Sequence, residues 1–324
     1  MLELVNTSNY QSDVEIIHNN PDCLEILLNR HQLHGIEMMF NGEWNQQVHK
    51  KEWIHGVHLS YWPCWLEFWQ GDEQKLWQEF GSKEKVAAYY GGLTRQEWLN
   101  GYRKDIATAR QAEAKYIVFH VSHARPSELF HCNFSSSSRD VIEASIDVIN
   151  ELTREIPDHI TLLFENLWWP GLTLRDQSLT RQLLENVNHP NVGIMLDTGH
   201  LMNTNPSLLT EKEGIDYIMK TLVELGSCAK YIKGIHLHRS LSGQYIKRTK
   251  KNSPQGPYSG MDIMNHVMKI DEHLPFCIPD VRRIIDFIQP DYLVHEFFYD
   301  SMNDWAHKIT QQQQALYGTS AKTN

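Results

Sequence analysis

The chain has 324 residues, 41% of them hydrophobic and 22% charged, with a formal net charge of −10. This is globular composition, and an α/β barrel of this length folds as one domain. The acidic balance, whose one basic tract is 247–251 (KRTKK), disfavours nucleic acid as a partner, and no run of about 18 apolar residues marks a membrane span. Five scattered cysteines without a CxxC pair, and no cationic-then-apolar leader, lead us to expect a reduced cytoplasmic protein.

In chain order, residues 2–5 form a short apolar strand, and 21–33 a helix behind an Asn-Pro-Asp start signal. Residues 35–40 (GIEMMF) and 56–61 (GVHLSY) read as strands two and three. A tryptophan-rich insertion follows at 62–92, where core or lid packing competes with substrate stacking. Strands are then expected at 116–120, 160–165, 192–197, 231–238 and 292–296, separated by helices at 98–114, 138–156, 178–187, 211–226 and 279–288. Residues 239–259 read as a polar loop, 301–316 as a last helix and 317–324 as a disordered tail. Eight strands alternating with helices predict a single-domain (β/α)8 TIM barrel over 1–316, with an insertion after the third strand. No GxGxxG follows the first strand, which counts against a dinucleotide site.

In such a barrel the chemistry lies at the C-terminal ends of the strands. The buried run NVGIMLDTGH brings Asp197 and His200 there, three apart across a glycine. From the third strand on, each strand adds a histidine or a carboxylate: His58, His120, Glu165, Asp197, His236 with His238, and Glu296. A lone histidine at a strand end is ordinarily structural, and Asp197 alone fits a helix N-cap. Several carboxylates converging on one axis repel each other in a partly dry site, and a divalent cation resolves that. Imidazole with carboxylate suits Zn, Mn, Co or Fe better than Ca. His123, His238 and His295 are read by default as supporting residues behind the ligands.

The run YRKDIATARQAEAKYIVFH, followed by LLFEN, IMLDTGH, KGIHLH, DEHLP and LVHEF, resembles the xylose-isomerase-like TIM-barrel superfamily of sugar isomerases, epimerases and endonuclease IV enzymes. The resemblance covers residues 35–296. Its epimerase branch implies a four-ligand metal site at Glu165, Asp197, His236 and Glu296, with the two glutamates as an acid/base pair working through an enediolate. Its endonuclease IV branch implies further ligands at His58, His120, His200, Asp271 and His273. The chain departs from the latter pattern: NLWWP follows Glu165 where a Gly-rich stretch is expected, DTGH replaces DTCH, and the 236–271 connection is long. The insertion at 62–92 fits neither branch.

The expectation is a divalent-metal-dependent sugar or sugar-phosphate isomerase/epimerase holding one to three Zn, Mn, Co, Fe or Mg ions. The alternatives are a multinuclear zinc phosphodiester hydrolase, another metal-dependent barrel enzyme such as a dehydratase or oxygenase, and a barrel that binds without turnover. His238, Trp168 and Lys247 are the expected contacts to a small carbohydrate-like substrate, with Lys247 in a stretch that reads either as a solvated loop or as a phosphate-binding lid. A homo-oligomer is left open.

Overall fold

Alternation with a period of two runs through the strands and decides what faces the barrel axis. In the computed structural model, which describes residues 1–252 and 259–318, eight parallel strands pair in sequence order and close into a barrel. They are β1 (Leu2–Ser8), β2 (Gly35–Met39), β3 (Ile54–His58), β4 (Tyr116–His120), β5 (Thr161–Glu165), β6 (Val192–Asp197), β7 (Ile232–Leu237) and β8 (Tyr292–His295). Leu4, Tyr116, Val118, Leu163, Met195 and Val294 form a separate buried cluster inside the barrel. Two residues further along the same strands stand His120, Glu165, Asp197 and Glu296, so the side chains above that apolar plug point to the same axis. The intervening Val5, Ile117, Leu162 and Ile194 pack outward in the main core under the helices. Each such aliphatic side chain, fully buried, contributes about 1.5–3 kcal/mol.

The helices start on side-chain caps visible in the sequence. Thr94 with Glu97 and Thr210 with Glu213 form capping boxes for Arg95–Ala112 and Glu211–Glu224. The insertion after β3 folds as three short helices, Leu66–Gln70, Glu73–Phe80 and Lys83–Tyr90. Of its tryptophans Trp65 and Trp69 are core, Trp62 is half-buried against it and Trp77 is exposed. Trp98 is 1% exposed, with the rings of Trp62, Trp65, Phe68 and Trp69 at 5.9–6.1 Å.

Several expectations need correction. The stretch 239–259 is not a continuous loop: Gly243–Lys251 is a helix, and it packs on Gly260–Ile270, also helical, while 253–258 lie outside the described residues. Tyr245 Oη meets His266 Nδ1 at 2.9 Å across that pair, a tertiary contact that local polarity does not announce. The third strand starts and ends earlier than expected, so His58 is its last residue rather than an interior one. A short helix, Gln11–Ile16, follows β1 where no element was expected. Of the expected tail, Tyr317 closes the last helix (Met302–Tyr317) and donates to Glu3 at 3.0 Å, and 319–324 lie outside the described residues.

Candidate metal centre

Strand register assembles the centre. His120 lies beside Glu165 across β4–β5, and Asp197 beside His236 across β6–β7. Around them His, Asp and Glu side chains group four ways: His58–His120–Glu165, Glu165–Asp197–His236, Asp197–His238–Glu296 and His200–His238–Asp271–His273. The groups are linked. Glu165 and Asp197 each belong to two, and His238 joins the last pair. All nine ligands expected from the resemblance, with His238 as a tenth, therefore meet at one end of the barrel.

Glu165 is the hinge of the arrangement. Its Oε2 lies 3.0 Å from His58 Nε2 and 3.4 Å from His236 Nδ1, and its Oε1 lies 3.1 Å from His120 Nε2 and 3.2 Å from His200 Nδ1. Burial pushes this carboxyl up, but the facing imidazoles of His120 and His236 outweigh it and hold the group well below the usual range. Burial likewise raises Asp197, here to about 6, against the pull of His200. It also raises Glu296, with His236 opposing.

Surrounding groups aim the ligand nitrogens. His58 Nδ1 contacts the Leu59 carbonyl at 2.9 Å, which leaves Nε2 turned to the centre. His236 is held the other way round: its Nε2 lies 2.9 and 3.1 Å from the Glu37 carboxylate, and Nδ1 faces Glu165 and Glu296. Glu37 in turn accepts from Tyr116 Oη at 2.8 Å. Burial works against the charge on Glu37, yet the His236 imidazole keeps it ionised more readily than an ordinary glutamate. Asn166 ties β5 to β6: its Nδ2 donates to the Asp197 carbonyl at 3.0 Å and its Oδ1 accepts from Asp197 N at 2.9 Å. Asp197 does both things its position allows. Oδ1 caps the short helix Thr198–Asn203 through His200 N at 2.6 Å, while Oδ2 meets His238 Nε2 at 2.9 Å.

The cluster of His200, His238, Asp271 and His273 hangs on the loop after Ile270. Asp271 Oδ2 lies 3.0 Å from His200 Nε2 and 2.7 Å from His273 Nε2. His273 adopts φ 47°, a conformation that a non-glycine residue takes only under constraint from its surroundings. Its ring stacks on His238 at 3.9 Å and on Phe298 at 4.1 Å. Burial opposes charge on His273, but Asp271 lifts it to about 9. DTGH is explained here. A Cβ on Gly199 would lie 2.1 Å from His238 Cε1, so the glycine makes room for that imidazole.

Whether these residues fit metal ions is answered by the buried polar atoms left without hydrogen bonds: Glu165 Oε1, Glu296 Oε2, His120 Nδ1, His236 Nδ1, His238 Nδ1 and His273 Nδ1. Four buried carboxylates with lone pairs and imidazole nitrogens turned to common points are costly alone and suit divalent cations. Trp168 stands at the edge of the centre, 5.1 Å from the His200 ring. Lys247 does not join it: the side chain is exposed on Gly243–Lys251 and is not among the described residues lining the barrel mouth. His123 and His295 are structural. The first accepts from Trp65 N at 3.2 Å, and the second meets Glu3 at 2.8 Å and Gln312 at 2.8 Å.

With this geometry, the sequence profile of the xylose isomerase-like TIM barrel family matches residues 89–318. The chain belongs to that family. No curated protein matches it in sequence. Endonuclease IV from Thermus thermophilus is similar in structure at 13% identity and TM-score 0.53, over 98% of this chain and 99% of that one. L-ribulose 3-epimerase is similar at 12% identity and TM-score 0.54 over 100% of both chains, and D-psicose 3-epimerase at 11% and 0.51 over 98% and 97%. At such identities the likeness shows the xylose isomerase-like barrel and no particular activity. Among the described residues no helix is long and apolar enough to cross a membrane.

Proposed function

We propose that the chain is a multinuclear divalent-metal hydrolase acting on a small ester, phosphoric or carboxylic, at the mouth of the barrel. The observation that carries this reading is Glu165, whose two oxygens are each faced by two imidazoles, in the manner of a carboxylate shared between ions. A carboxylate so engaged is not free to shuttle a proton on and off carbon, as a two-glutamate isomerase needs. Two or three ions in these clusters would supply Lewis acidity and a water of lowered pKa. The chain's own part is positioning. His58 and His120 are grouped with Glu165, Asp197 and His236 with that same Glu165, and His200 with Asp271 and His273. Glu296, 13% exposed at its side chain and lining the cavity, turns Oε2 to His236 and His238, and its other oxygen would take a proton from the attacking water and pass it to the leaving oxygen.

The isomerase/epimerase reading stands second, favoured by that same Glu296, whose carboxyl burial pushes above the usual carboxylate range and so makes a readier proton donor. The test is elemental analysis of protein purified without chelator, followed by two assays. Two or three ions per chain and release of 4-nitrophenol from bis(4-nitrophenyl) phosphate or 4-nitrophenyl acetate, lost in Glu296→Gln, are expected. One ion per chain, no ester cleavage, and solvent-deuterium incorporation into a ketose would overturn the hydrolase reading for the isomerase one.

A further inference from the structure

The cavity above the centre has a volume of about 350 Å³, at the small end of ligand pockets (about 300–1,000 Å³), and its two halves differ in kind. The floor is made of ligand side chains, among them His58, His200 and Glu296. The walls are apolar or aromatic: Tyr61, Leu129, Trp168, Trp169, Ile263 and Met264. Among the described residues lining it there is no lysine and no arginine. Two arginines of the adjoining loops are engaged elsewhere. Arg125 pairs with Glu128 at 2.7 Å, and Arg239 Nε donates to the Pro275 carbonyl at 2.8 Å.

This wall does not match a polyol. A sugar chain carries a hydroxyl on nearly every carbon, and each one buried against Leu129, Leu167 or Ile263 would lose its hydrogen bonds with water and gain none. Nor does the wall hold a cation for a second negative charge beyond the one the centre takes. The aromatic residues are arranged instead as flat faces beside the ligands. The Tyr61 ring lies 4.4 Å from His120, and Trp168 lies 5.1 Å from His200 and 4.9 Å from Trp169. Stacked or tilted ring faces at this separation attract a planar apolar group. Trp168 Nε1 and Tyr61 Oη are buried without a hydrogen-bond partner in this wall and can meet an acceptor on the guest.

We infer that the substrate is a compact aryl compound: a planar ring held between Tyr61 and Trp168, bearing at one end the oxygen group that reaches the metal centre. This rests on the metal-dependent reading above and specifies what that centre acts on. It parts from the carbohydrate-like substrate that the motifs imply.

The test uses hydroxamates, which share one metal-chelating head and differ in the body. Zn- or Co-loaded full-length protein is titrated with benzohydroxamate, acetohydroxamate and a sugar-derived aldonohydroxamate, followed by tryptophan fluorescence and by calorimetry. The expected result is benzohydroxamate at least tenfold tighter than either of the others, with the margin shrinking below threefold in Trp168→Ala and kept in Trp168→Phe. Equal affinities, or the aldonohydroxamate tightest, would overturn the aryl assignment while leaving the metal centre standing. Failure of all three to bind the metal-loaded protein would overturn this inference, and failure of the protein to take up Zn or Co would overturn the metal centre it rests on. The wild-type ratio decides the question even if Trp168→Ala does not fold.

Discussion

Gly199→Ala probes the packing that replaces DTCH by DTGH. The added Cβ would stand 2.1 Å from His238 Cε1 and 2.4 Å from Nδ1, and moving from 2.1 to the 3.4 Å of an ordinary contact requires a retreat of about 1.3 Å. The ring has nowhere to go. It is stacked at 3.9 Å on His273, which is itself stacked at 4.1 Å on Phe298. The retreat therefore strains that stack, at about 1–3 kcal/mol, and breaks the 2.9 Å contact from His238 to Asp197, which as a hydrogen bond to a charged group contributes about 1.5–3 kcal/mol. Alanine in the helix Thr198–Asn203 returns up to about 1 kcal/mol, so a net loss of about 2–4 kcal/mol is expected. The assay is urea unfolding of the metal-loaded protein across a double-mutant cycle with His238→Ala. If the clash is the cause, Gly199→Ala costs nearly nothing once the imidazole is gone, a coupling of about 2 kcal/mol or more. A coupling below about 0.5 kcal/mol would refute the reasoning, because the glycine would then be needed for something other than that ring.

Two further outcomes follow from groups behind the centre. Glu37→Gln keeps the shape but loses the carboxylate that holds His236 Nε2, so affinity for the ion at Glu165, Asp197 and His236 should fall about 10–100-fold in competition with a chromophoric chelator; an unchanged affinity would mean that Glu37 does not orient the ligand. His49 is buried with neither ring nitrogen partnered, and burial lowers its pKa to about 4. Its neutral form is the folded one. Stability is thus complete above the unfolded value of about 6.5 and falls by up to about 3 kcal/mol as pH drops from there to 4. His49→Leu should flatten that part of the urea midpoint-against-pH curve, and an identical slope in both proteins would contradict it.

The fold was legible because its signal is repetitive. β4 is bounded by the same residues in sequence and structure, Tyr116 and His120, since an apolar run ending on a histidine is bounded by its own composition. The helix Gly243–Lys251 was not, because its sequence is polar and its partner is another helix rather than the barrel. Seven of the nine ligand candidates could be read from strand ends, where position along the chain maps onto position around the rim, while Asp271 and His273, on the loop after a helix, came only from the family resemblance. Glu37 escaped because it sits inside GIEMM, a run that reads simply as a buried strand; an acid within such a run was the signal, and a partner 199 residues away was the answer. The same holds for Gly199 and His238, whose fit exists only once β6 and β7 lie side by side. Lys247 was drawn toward the substrate by charge alone, and an exposed position on an outer helix gives it none of the contacts that the ligands have.

The plug of Leu4, Tyr116, Val118, Leu163, Met195 and Val294 has a consequence for traffic. It blocks the bottom of the barrel, which makes the interior a cul-de-sac with a single doorway. Whatever arrives must back out by the route it came in, and the reacting end, which goes in first, comes out last. Arrival and departure then exclude one another, so under the hydrolase reading accumulated product would occupy the entrance and be displaced by more substrate. In such a vestibule exchange at the threshold would bear on the pace together with the chemistry of the centre.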